Sequence, residues 1–278
     1  MSKRGDNTRA VALSTTSTIV VLGVIVAVFL LAPGSAKVRE TFFSPSDMWH
    51  SFIGDPRKGY YSVGEAIWLN IRMFVVAEVL ILILAMVVAV LRQSTGPVML
   101  PLRWLATIYV DIARGIPTIL LIFLFGYGLP ALDLTVVSTQ SEAVYGVLAL
   151  VVSYTAYVSE VYRAGINSVH HSQVMAARSI GLSEWSSMRY VILPQAVRNV
   201  IPPLLNDFIS LQKDTSLVGV LGSIEALKAA EIYSDTVFNF SSYVVAAILF
   251  IILTIPLARF TDRLIDRDRR RRLAGAVT

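Results

Sequence analysis

Residues 163–198 read Arg163-Ala-Gly-Ile-Asn-Ser-Val-His-His-Ser172-Gln-Val-Met-Ala-Ala-Arg-Ser-Ile-Gly181-Leu-Ser-Glu-Trp-Ser-Ser-Met-Arg-Tyr-Val-Ile-Leu-Pro194-Gln-Ala-Val-Arg198. A stretch this dense in Ser, His, Gln and Arg cannot lie in hydrocarbon, where every polar group must find its partner inside the protein. It must be a loop domain between membrane spans. From Ser172 to Ile180 most residues are good helix formers. Gly181 then stops the helix, and Ser183 is placed as the N-cap of a second one running through Trp185 to Val191. Two short helices joined at a glycine are expected, with small Ala176 and Ala177 on the first and Pro194 closing the loop.

The rest of the chain supplies the membrane. Its 278 residues are 55% hydrophobic and 15% charged, with a mean hydropathy of +0.66, a membrane composition and not a soluble one. The run from Ala10 to Ala36 carries no charge and exceeds the roughly 20 residues needed to cross a bilayer. The run from Thr236 to Ala258 does the same. Segments 61–91, 104–130 and 142–162 qualify with isolated charges, and a sixth, about 199–224, is broken by Pro202-Pro203 and carries Asp207, Lys213 and Asp214. The expectation is an all-α polytopic bundle of about six transmembrane helices. No internal repeat is visible, which counts against the many secondary carriers built from repeated halves. Pro256, late in the final span, marks an expected kink.

The N-terminus admits two readings. Lys3, Arg4 and Arg9 before the apolar core Ile19–Ala32, with Gly34-Ser35-Ala36 after it, fit a cleaved signal peptide. The length of the uncharged stretch fits a retained span. Both leave residues 37–60 outside. Basic residues set the orientation: Arg92, Arg103, Arg163, Arg178, Arg189, Arg198 and the tail from Arg259 to Arg272 lie on one side with the N-terminal cations. The other side holds Lys37, Arg39, Arg57, Lys58, Lys213 and Lys228, the last two among acidic neighbours. Both termini and the polar loop are therefore expected in the cytoplasm. The sequence pI of about 9.5 is a topology signal and not a nucleic-acid footprint, and the cluster at 263–272 reads as an anchor to anionic membrane lipid.

Ionisable residues inside spans are costly, about +2.5 to +3.5 kcal/mol at the centre, so they face a cavity or a partner. Glu78 sits mid-span with no local counter-charge. Asp207 follows Asn206 just past the double proline, where unwound backbone would line a cavity. These three are the pathway candidates, with a buried structural pair as the alternative. Asp111 and Arg114, and likewise Glu160 and Arg163, are three apart on one helical face and read as ion pairs. Lys213 and Asp214 are expected at the external end, helping to order a gate. His50 is external and His170-His171 cytoplasmic; with no third ligand and no cysteine, a metal site is not expected. An intramembrane enzyme lacks its parts, since no His falls in a span.

The loop resembles the EAA loop of ABC importer permeases, through Ala176-Ala177-x-x-x-Gly181 and Val191-x-Leu193-Pro194. The resemblance extends along the chain. Tyr109-Val110, Arg114-Gly115-Ile116-Pro117 and Gly126-Tyr127-Gly128-Leu129-Pro130 are similar to family segments, as are Glu160-Val161-Tyr162-Arg163-Ala164-Gly165, Val191-Ile192-Leu193-Pro194-Gln195-Ala196 and Lys213-Asp214-Thr215-Ser216-Leu217. Together they resemble the polar amino acid branch, the histidine/glutamine/glutamate type, from about Tyr60 to Arg263. Two departures stand out: Met175 occupies the usual Glu position and Ser172 the usual Gly.

The resemblance implies residues 60–265 as the permease domain with a coupling loop at 170–196, a preceding extra span and external segment at 1–59, and a basic tail at 266–278. It implies a bacterial inner-membrane complex: two ABC ATPases, a second permease subunit, the same or paralogous, and an external solute-binding protein. The chain has no Gly-x-x-x-x-Gly-Lys-Ser/Thr run, so ATP and Mg belong to the ATPase and this chain binds no cofactor. Met175, Ala176, Ala177, Gly181, Leu182, Leu193 and Pro194 are the ATPase-coupling candidates the resemblance implies. The alternatives are a permease for another small polar solute, such as an opine or sugar phosphate, and a channel or secondary transporter subunit. The last gives no reason for the loop.

Overall fold

The computed structural model describes residues 3–275. The chain is helical throughout: α1 (Lys3–Leu31), α2 (Ser35–Phe42), α3 (Pro45–Ile53), α4 (Val63–Gln93), α5 (Leu100–Gly115), α6 (Thr118–Gly128), α7 (Thr135–Ser138), α8 (Glu142–Asn167), α9 (His171–Ser179), α10 (Glu184–Ser187), α11 (Leu193–Asp214), α12 (Ala226–Val237) and α13 (Ser241–Gly275). Among the described residues, four helices are long and apolar enough to cross a membrane: α1 from Leu13, α4, α8, and α13 as far as Arg267. The α5–α6 pair makes a fifth if its 107° bend is a broken span. Pro117, which cannot donate a hydrogen bond and restricts the residue before it, sits at that bend.

By length and apolarity alone, up to five of the six expected spans qualify. The segment 199–224 does not qualify. It is most of α11 followed by a 3-10 turn over Thr215–Leu221, and its Gln212, Asp214 and Thr215 meet partners inside the protein. Nor does the double proline break it: α11 runs through Pro202 and Pro203 without unwinding. It packs closely on α8, where a Cβ added at Gly165 would overlap the Val200 side chain. The last span also starts later than expected. Phe238, in the left-handed region at φ 56°, ends α12, and α13 begins at Ser241. Pro256 lies inside α13 without ending it.

The core forms around α8. Met73, Ala77, Ile81 and Ala85 repeat every fourth residue along one buried face of α4 and meet Ala149, Leu150 and Tyr154 of α8, with Ile122 and Leu211 behind them. Small residues at helical spacing let two helix backbones approach closely, which is how membrane helices associate. A second apolar cluster joins Val63 and Ile67 to Ala226, Ala229, Ala230 and Ala246 at the α4–α12–α13 end. The segment α2–α3 straps across it: the Phe240 amide donates to the Thr41 carbonyl (2.8 Å), the Ser44 amide to Ser241 Oγ (3.0 Å), and the Tyr233 hydroxyl to Asp47 Oδ1 (2.8 Å). The span of α1 has no buried residue and is tied at its end, where the Arg39 guanidinium donates to the Phe29 and Leu30 carbonyls.

Candidate functional site

The polar loop folds as a helical hairpin whose turn is set by one residue. Gly181 adopts φ +87°; its amide donates to the Arg178 carbonyl (3.0 Å) and that of Leu182 to the Ala177 carbonyl (3.1 Å). This is the two-bond stop in which a left-handed residue after the helix satisfies its last carbonyls. Ser183 then caps α10, its Oγ accepting from the Ser186 amide at 3.2 Å. Beyond α10 the structure departs from expectation. The second helix does not end at Val191, and Pro194 does not close the loop. A π-helical turn over Met188–Ile192 leads straight into α11, with the Leu193 amide donating five residues back to Met188. The wider turn absorbs a proline that would collide with an ordinary α-helical carbonyl. The returning arm of the hairpin and α11 are one rod.

The faces of the hairpin are unequal. Ala177 is only 4% exposed and packs inward, so its smallness serves the hairpin itself, while Ala176 lies on the outside. Met175 (49% exposed), Ile180 (79%) and Trp185 (72%) are large apolar side chains exposed among the polar residues of the loop. Leu193 and Pro194 are exposed and Leu182 half-buried.

A second constellation lies among the helices. Asp207 of α11 is within electrostatic reach of Glu78 of α4 and Tyr154 of α8. Its Oδ2 is buried with no hydrogen-bond partner among the described residues. Further along α11, Asp214 accepts from the Tyr154 hydroxyl at 2.7 Å. Tyr154 is midway along α8, so Lys213 and Asp214 sit beside the middle of that helix and not at the expected external end. Asn206, the residue before Asp207 on α11, is exposed.

Glu160 is the hub of a third group. Arg163 reaches its Oε2 through Nη2 (2.6 Å) and Nε (3.1 Å), Arg92 at the end of α4 bonds its Oε1, and Arg114 approaches to 4.0 Å. Arg114 thus turns to Glu160, with its guanidinium over the Tyr157 ring, and makes no ion pair with Asp111 among the described residues. The i, i+3 spacing allowed that pair, but the packing of α5 on α8 supplies a better acceptor. Sequence reasoning also missed the buried Asn70–Glu225 junction. Asn70 Nδ2 donates to Glu225 Oε2 (2.9 Å) and to Thr215 Oγ1 (3.1 Å), and Glu225 caps α12 through the Leu227 and Lys228 amides. Glu is a rare N-cap beside Ser, Thr, Asp and Asn, so composition carried no signal.

Comparison with known proteins decides what this architecture is. Residues 95–271 match the family model of the binding-protein-dependent transport system inner membrane component. The chain belongs to this family of ABC importer permeases. It is 40% identical over 177 residues, 63% of this chain and 79% of the relative, to a protein named probable glutamine ABC transporter permease GlnM of Bacillus subtilis (strain 168). It is 33% identical over 216 residues, 74% of this chain and 93% of the relative, to the glutamate transport system permease GluC of Corynebacterium glutamicum. Among solved structures, an amino acid ABC transporter with histidines superposes at a TM-score of 0.68 with 27% identity, covering 74% of this chain and 93% of that one. The methionine transporter MetNI, at 18% identity and a TM-score of 0.62, shares the fold. This permease is thus the multi-pass inner-membrane, non-catalytic subunit of an amino acid type ABC importer.

Proposed function

We propose that the permease carries a polar amino acid across the inner membrane along a path beside Glu78 and Asp207, driven by two ABC ATPases docked on its 170–196 hairpin. A second permease subunit, the same or paralogous, completes the pathway, and an external solute-binding protein delivers the amino acid. ATP and Mg bind the ATPase and not this chain. Both termini and the hairpin lie in the cytoplasm. Met175, Ile180 and Trp185, exposed on a polar loop with no covering element among the described residues, suit the apolar part of a protein groove. Because the hairpin's second arm is continuous with α11, displacement of the hairpin moves Asp207 with it. That continuity is the observation that carries the reading: one unbroken helical element links the docking surface to the candidate pathway.

On the substrate side, a buried carboxylate oxygen without a donor is a site for an ammonium group, which supplies charge and hydrogen bonds together. Asp207 fills that description and Glu78 extends it. Docking is tested by a photo-cross-linking side chain at Ile180 in the assembled complex. The expected result is capture of the ATPase, with a yield that changes on ATP binding. An assembled complex in which position 180 never captures the ATPase overturns it.

A further inference from the structure

A cavity of about 380 Å³ opens where α4 ends, α5 begins and α8 nears its terminus, lined by Arg92, Arg103, Trp104, Thr107 and Arg163. Its charges do not balance. Glu160 is the one carboxylate that Arg92, Arg163 and Arg114 share among the described residues. Arg103, half-buried, spends its Nη1 on the Ser94 carbonyl at 3.1 Å and pairs with no carboxylate among the described residues. Three guanidiniums therefore share a single acid and a fourth has none, and three of these four line the cavity. Holding like charges together beside hydrocarbon is unfavourable unless an anion joins them.

We infer that this cavity binds the phosphate headgroup of an anionic phospholipid drawn from the surrounding bilayer. Guanidinium forks match phosphate oxygens two at a time. The cavity lies at helix ends, at headgroup depth: Arg92 is the last but one residue of α4, Arg103 the fourth of α5, and Arg163 is four residues short of the end of α8. Trp104 is largely exposed, as are Leu102, Leu105 and Ile108 along the same helix. An indole at the water–lipid boundary with an apolar strip leading away from it offers a headgroup seat and a track for the acyl chains. Free phosphate would use the seat but not the strip. The same end of α8 leads into α9, so the lipid braces the three-helix junction from which the hairpin projects.

Brominated lipids test this in the full complex reconstituted into nanodiscs, with the tryptophan quenching lost in Trp104→Phe taken as the signal of this site. Brominated phosphatidylglycerol is expected to quench Trp104 at a mole fraction about fivefold lower than brominated phosphatidylcholine, the gain carried by one juxtamembrane arginine. Arg103→Gln is expected to abolish that preference and Arg103→Lys to keep most of it, which separates a charge effect from a folding defect. Equal quenching by the two lipids in the wild type, or a preference that survives Arg103→Gln, overturns the inference. Loss of the preference on adding millimolar inorganic phosphate assigns the seat to free phosphate and overturns the lipid as its occupant.

Discussion

Gly181 illustrates how one backbone angle governs a working surface. A Cβ there would meet nothing within 4 Å, so space does not demand glycine; the φ of +87° does. A left-handed conformation costs an ordinary L-residue roughly 1–2 kcal/mol, and a β-branched one fares worst. Gly181→Val is expected to insert and accumulate normally but to lose ATP-driven uptake, because the angle between α9 and the rod through α11 changes. Normal uptake at normal expression contradicts this. Asp207→Asn has a different signature: uptake and substrate-stimulated ATP hydrolysis fall while basal hydrolysis and assembly persist. If the carboxylate instead served a structural pair, its loss would cost about 3–5 kcal/mol and assembly would fail. Measuring assembly with basal and stimulated hydrolysis on one preparation separates the two.

Between elements, the α8–α11 contact is set by volume. Gly165→Ala forces its new methyl group into the Val200 side chain, and overpacking of this kind costs about 1–3 kcal/mol. The solubilised complex is expected to melt at lower temperature, with Val200→Ala in the same chain restoring most of the loss. A double variant no more stable than Gly165→Ala alone would show that the strain lies elsewhere. The hairpin itself is legible in the sequence because its signals are local: a helix-forming run, a glycine stop and a serine cap fall close together along the chain. The continuity of α11 is not. Proline propensity favours breaks at 194 and 202–203, and only tertiary packing with a π-turn overrides it. The partner of Arg114 is hidden for the same reason: spacing names neighbours on one helix, while Glu160 arrives from another. Of the candidate pathway, Glu78 and Asp207 stand out as charges in apolar surroundings, but their mutual proximity depends on how α4 and α11 pack.

Across the whole molecule, the architecture divides by end. The strap α2–α3 and the α12–α13 turn close one end; the Glu160 junction, the lipid seat and the hairpin gather at the other. The native chain has no cysteine, so single substitutions report cleanly on sidedness. His50→Cys and Thr135→Cys are expected to react with an impermeant thiol reagent from outside, and Ser183→Cys only after permeabilisation. In the transport cycle proposed above, ATP hydrolysis by a separate subunit, received at the hairpin, drives amino acid uptake through this permease. The decisive experiment is uptake of a panel of amino acids into proteoliposomes holding the permease and its ATPase, with the cognate binding protein outside. A polar amino acid is expected to accumulate, requiring internal ATP and the binding protein and ignoring imposed ion gradients. Accumulation that tracks a proton or sodium gradient without ATP or the ATPase would contradict this cycle.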